Sequence, residues 1–71
     1  KRMTYQEKQE WASIESDIEA LEDCIAAIEE EMQANGSDFG KLATLQKELD
    51  EKNEALLEKY ERYEYLSEFD S

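Results

Sequence analysis

Carboxylates are the most abundant groups in this chain that could do chemistry. Asp and Glu together number 20, against 8 Lys plus Arg and no His, for a formal net charge of −12. Glu15 with Glu19 or Glu22 has the spacing to share a helix face, as an acid–base pair must. Such a pair also needs a cleft that raises one pKa above the other, and these residues fall on a solvated face. Glu29, Glu30 and Glu31 are consecutive. On a helix, neighbours diverge by about 100° and do not converge on one ion. Without histidine there is no Ser–His nucleophile and no imidazole ligand. Cys24 has no activating cation beside it, so it reads as a packing or surface residue of a reducing compartment. "GSDFGK", Gly36 to Lys41, holds two glycines and a lysine but lacks the spacing of a phosphate loop. The chain is therefore expected to hold no catalytic, cofactor-binding or metal residue of its own.

What remains is the chemistry of contact, and the elements that position it can be read from periodicity. Hydrophobic and charged residues each make up 39% of the 71 positions, with no proline. That composition fits a long helix or coiled coil, with disorder as the rival. From Trp11 the apolar residues run Ile14, Ile18, Leu21, Ile25, Ile28 and Met32, alternating steps of three and four. This is a coiled-coil seam. "TYQE" upstream reads as a capping box, with Thr4 as N-cap and Glu7 three residues on. A second series follows: Leu42, Leu45, Leu49, Leu56, Tyr63 and Leu66, with Leu57 and Tyr60 beside it. Its seam is interrupted at Lys52 or Asn53; either a polar residue sets register there, or Lys52 snorkels out along the seam.

In an antiparallel hairpin, facing residues have position numbers with a constant sum. Met32 and Leu42, Ile25 and Leu49, Ile18 and Leu56, Trp11 and Tyr63, and Tyr5 and Phe69 all add to 74. Two seams read separately thus select one fold point, at residue 37, and disorder is set aside. The fold class is all-α, a two-helix antiparallel coiled-coil hairpin. Helix 1 is expected at about 5–34, the turn at about 35–38 and helix 2 at about 39–69, in one domain over 1–71. At 1.5 Å per residue the tip stands about 45 Å from the base. Asn35 and Gly36 are expected to end helix 1 in the left-handed conformation, and Ser37 or Asp38 to cap helix 2. Phe39 is expected to fold over the seam end near Met32 and Leu42. Glu29 to Glu31 oppose the helix dipole at the end of helix 1, and Lys41 and Lys47 across the turn are expected to offset them.

Charge is divided unevenly. No Lys or Arg lies between Gln9 and Gly40, whereas helix 2 carries Lys41, Lys47, Lys52, Lys59 and Arg62. These five, plus Lys1 and Arg2 at the base, are the candidate contacts with a partner or nucleic acid, and Lys52, Lys59 and Arg62 can share a face. Their alternative role is to pair with glutamates and keep the hairpin soluble. The chain begins at Lys1 rather than Met, which reads as a piece of something longer. No apolar run reaches the roughly 18 to 20 residues that cross a bilayer, so no membrane partner is expected.

"RMTYQEKQEW" (Arg2 to Trp11), "IESDIEALEDCIAAIEEEM" (Ile14 to Met32), "GSDFGKL" (Gly36 to Leu42) and "YERYEYLSEF" (Tyr60 to Phe69) carry a family resemblance. The chain resembles the C-terminal coiled-coil domain of the ABC-F ATPases, specifically the Uup-type members. In that family a Thr4-Tyr5-x-Glu7 segment with a large residue at Trp11 opens the domain, and Arg62-Tyr63-Glu64-Tyr65-Leu66 closes it. The resemblance implies a cytoplasmic protein with two upstream ATPase cassettes. It also implies ATP and Mg bound in those cassettes, and a ribosome or DNA as partner.

Three readings follow. The leading one is a non-catalytic interaction arm that positions an ABC-F ATPase on a nucleoprotein such as the ribosome. The second is a DNA-binding hairpin, which net charge −12 opposes unless contact is confined to one face. The third is a structural arm that packs on its own cassettes or on another copy. A monomeric hairpin is expected.

Overall fold

The computed structural model describes residues 2–69. Two helices, α1 (Tyr5–Ala34) and α2 (Phe39–Ser67), pack along their length as an all-α antiparallel hairpin. The described chain is a rod measuring 52 × 15 × 15 Å.

Local sequence accounts for each helix end. The Thr4 hydroxyl accepts from the Glu7 backbone N–H at 3.2 Å, and Glu7 Oε1 accepts from the Thr4 N–H at 2.8 Å. The capping box thus satisfies two backbone donors reciprocally. Asp38 caps α2, its carboxylate accepting from the Lys41 N–H at 3.1 Å. At the end of α1 the expected left-handed turn does not form. Asn35 sits at φ −119°, ψ 36°, and neither glycine has a positive φ. Instead the Asn35 side-chain amide donates to the Glu31 carbonyl at 2.8 Å, as does its backbone N–H at 3.1 Å. A terminal carbonyl is satisfied in this way without a left-handed residue. Lys41 and Lys47 make no ion pair with any described residue, so Asn35, rather than those lysines, answers the end of α1.

The seam between the helices is the whole core. Ile14 and Leu66 are fully buried, and Leu45 is nearly so. The other seam residues, including Trp11, Ile18, Ile25, Met32, Leu49, Leu56 and Tyr63, are half-buried. Two helices cover only one side of each other, so a third element would be needed to close most seam positions. The Trp11 and Tyr63 rings meet at 5.1 Å, an aromatic pair in the 74 register. At the interruption, Lys52 is half-buried and Asn53 exposed, so Lys52 takes the seam position and runs its aliphatic stem along it.

Two aromatic expectations are overturned. Phe39 does not fold over the seam: it is 81% exposed. It is the first residue of α2, one turn before Leu42, and its position points to the side of the seam. Tyr5 is 76% exposed and does not close the fifth pair. Helix α2 ends at Ser67, so Phe69 leaves the helical register and packs edge-on against Tyr65, with ring centroids 5.0 Å apart.

Because neither glycine needs its special backbone freedom, alanine should be better at both. A Cβ on Gly40 would come no nearer than 3.7 Å to Asp38, and one on Gly36 no nearer than 3.8 Å to the Gln33 carbonyl. Each substitution is expected to stabilise by about 0.4–1 kcal/mol, mainly through the unfolded chain. In thermal unfolding, Gly40→Ala and Gly36→Ala should each melt higher than the parent; a lower melting temperature would show that a glycine is required at the turn.

Candidate functional site

The sequence offers five cations on α2 as contacts, and the fold divides them; of the two at the base, Arg2 is exposed and Lys1 lies outside the described residues. Tracing positions around each helix, Lys52 and Lys59 fall on the seam itself, and Lys41 and Arg62 border it on one flank of the hairpin. Lys47 points away from α1. Two of the five are already engaged across the helices. Lys59 Nζ lies 3.2 Å from Asp17 Oδ2, and its position on the seam lies one step from buried Ile14. Arg62 grips Glu10 through a two-pronged bond, Nε and Nη2 each donating at 2.8 Å. Lys41, Lys47 and Lys52 have no ion-pair partner among the described residues, and Lys41 and Lys47 are exposed near the tip. These five therefore do not gather into one cluster: two tie the base half together, Lys52 sits midway along α2, and Lys41 and Lys47 lie near the tip.

Around Arg62 the structure builds a clasp. The guanidinium lies 5.0 Å above the Tyr65 ring, a cation–π contact. The Tyr65 hydroxyl donates to Glu7 Oε2 at 3.4 Å, so Glu7 both caps α1 and receives α2. Tyr63 packs on Trp11, and Leu66 is buried. Each side chain of Arg62-Tyr63-Glu64-Tyr65-Leu66 except Glu64 thus has a packing or pairing role on α1 or within the clasp. The bond from Arg62 is the main cause that holds the Glu10 carboxyl below the ordinary carboxylate range, and burial works against it. Glu10 in turn raises the guanidinium pKa, again chiefly through that bond. The glutamate partners Glu7 and Glu10 escaped the sequence reading. Their signal was available: Glu7 with Tyr65 and Glu10 with Arg62 both add to 72, a shared diagonal beside the 74 register.

The other flank carries different contacts. The Tyr60 hydroxyl donates to Glu22 Oε2 at 2.6 Å, and the Tyr63 hydroxyl to Glu15 Oε1 at 3.5 Å. The bond to Glu22 pushes the Tyr60 phenol above its usual pKa. Among the described residues, no group of three His, Cys, Asp or Glu side chains could hold a metal ion. No described helix is long and apolar enough to cross a membrane. Cys24 is a free, exposed thiol.

The polar groups of this rod-like helical hairpin thus serve to tie its two helices together. The chain belongs to the ABC transporter C-terminal domain family, whose model matches residues 2–68. It is thus a C-terminal domain of an ABC-type ATP-binding protein. No curated protein and no solved structure matches it.

The clasp has a definite pH signature. A carboxyl with a depressed folded-state pKa contributes stability above its unfolded pKa and loses it as pH falls through the folded value. In a carboxyl-detected NMR titration, Glu10 should titrate below the ordinary range in the parent chain. It should return upwards in Arg62→Ala, and only part of the way in Arg62→Lys, which keeps the charge but not the fork. A Glu10 titration that is the same in all three would mean the fork does not hold in solution.

Proposed function

We propose that this hairpin is the non-catalytic C-terminal interaction arm of an ABC-F, Uup-type ATP-binding cassette protein. In this reading it positions the ATPase on a nucleoprotein partner such as the ribosome, in the cytoplasm. ATP and Mg are held by cassettes elsewhere in the same protein, and the arm works as a monomeric hairpin. The observation that carries the proposal is the shape: a rod 52 Å long and only 15 Å across, clasped at its base and ending in a capped turn. Such a rod has reach. The resemblance of both ends and of the "GSDFGKL" turn to the ABC-F domain supplies the partner class.

Charge favours this over binding to bare DNA. Of the five cations on α2, Lys59 and Arg62 already sit in ion pairs, which leaves Lys41, Lys47 and Lys52, with Arg2 and Lys8 at the far end of the rod, as scattered phosphate contacts on a chain of net charge −12. Few neutralising contacts mean little counterion release and low affinity for a polyanion.

Co-sedimentation of the intact ATPase with ribosomes, with and without residues 2–68, tests the proposal. Binding should fall severalfold when the arm is removed. Equal sedimentation of both forms would refute it. A shift of labelled duplex by the hairpin at physiological salt would replace it with DNA binding.

A further inference from the structure

The two flanks of the hairpin differ in a way the proposed role does not require. Four of the five large apolar side chains left exposed fall on the flank marked by the Tyr60–Glu22 bond: Tyr5 (76%), Phe39 (81%), Leu57 (59%) and Tyr60 (43%). The positions follow from helical spacing. Leu57 and Tyr60 lie beside seam residues Leu56 and Tyr63, and Tyr5 lies two turns before Ala12 on the same side of α1. The floor between the helices there is apolar as well, with Trp11, Ile18, Leu56 and Tyr63 half-buried. Its margins are anionic: Glu15, Glu19, Glu22 and Glu29 on α1, Asp50 and Glu64 on α2. From Ala12 to Gln33 and from Ala43 to Ser67, this flank carries no Lys or Arg; Lys8, one heptad before Glu15, is its one cation within Tyr5 to Glu22, among four carboxylates of that lower half, Glu15, Glu19, Glu22 and Glu64. The chain's cations on α2 lie on the seam, on the opposite flank or facing outwards.

We infer that the lower half of this flank is a docking surface for a cationic amphipathic helix of a partner protein, which completes a three-helix bundle. The apolar floor and the exposed Leu57 and Tyr60 receive the partner's apolar stripe, and its flanking Lys and Arg meet the carboxylate margins. This is helix-in-groove recognition, with charge setting which helices fit. The stretch from Tyr5 to Glu22 on α1 accommodates a helix of about five turns. A second copy of the chain is disfavoured, because it would set carboxylate margins against carboxylate margins. A nucleic acid is disfavoured for the same reason. The inference deepens the interaction-arm reading by giving the partner's chemistry, yet it does not depend on that partner being a ribosome.

Leu57 and Glu58 are adjacent and exposed, and their side chains point to opposite flanks. Leu57→Lys and Glu58→Gln change the net charge by the same amount, so they separate docking from bulk attraction. The probe is a labelled helical peptide of about 18 residues with a leucine stripe edged by lysines, followed by anisotropy and by Trp11 emission. Circular dichroism first confirms that both variants keep the helical content of the parent. The parent should bind and shift Trp11 emission to shorter wavelength. Leu57→Lys should weaken binding by about tenfold or more, and Glu58→Gln by no more than about threefold. Equal losses in the two variants, or equal binding of a scrambled peptide without a stripe, would overturn the inference. So would a self-associated parent that Leu57→Lys turns into a monomer. Ribosome sedimentation that fails while the peptide still binds would remove the ribosome and leave this surface standing.

Discussion

Each helix has only the other to cover its apolar stripe, and everything else in the structure depends on that one seam. Isolated helices of this composition draw little stability from propensity alone; burial of an amphipathic face supplies most of it. Here that burial is thin, with only Ile14, Leu45 and Leu66 buried and the remaining seam positions half open. A hairpin with so little core cannot tolerate slippage, because a shift of register would unpair both seams at once. The polar contacts therefore work as register pins. Arg62 with Glu10, Tyr65 with Glu7 and Lys59 with Asp17 each link positions far apart in sequence and all lie towards the base. These pins thus hold the first turns of α1 to the last turns of α2, where fraying of the helices would begin.

Electrostatics explains the arrangement of the pins. Every cation on α2 that pairs does so with a carboxylate on α1, the helix that has no base between Gln9 and Gly40. The pairs are largely exposed, and exposed pairs add little stability in isolation. Their more important effect is to choose one packing arrangement over others, because only the observed register brings Arg62 and Glu10 into fork geometry. Placing two of the bases towards the base of the rod leaves Lys41 and Lys47 without an ion-pair partner among the described residues and one flank with carboxylate margins whose one cation on α1 is Lys8.

The hairpin and its register were legible because burial repeats and therefore leaves a periodic trace. Trp11 and Tyr63 were paired by arithmetic alone, and their rings meet. The Thr4–Glu7 capping box was legible because it is local, three residues apart, and needs no tertiary knowledge. What failed was conformational detail at breaks in the period. Gly36 suggested a left-handed turn, but the Asn35 side chain satisfied the helix end first. Phe39 looked like a lid because it is apolar in a polar stretch, whereas Asp38 starts a helix at that residue and turns it outwards. The five candidate cations were visible as residue types. Their division into clasped and unpaired could not be read, because it depends on how far long side chains reach along a diagonal. The sum of 72 shared by Glu7–Tyr65 and Glu10–Arg62 is the trace such reach leaves.

The account rests on the intramolecular register, and the aromatic pair reports it most directly. Two-dimensional proton NMR at concentrations where sedimentation shows a single chain should reveal cross-peaks between the Trp11 and Tyr63 rings, whose centroids lie 5.1 Å apart. Their relative intensity should not change on dilution. Absence of those cross-peaks in a helical monomer, or their loss on dilution, would contradict the hairpin and with it the clasp and both flanks.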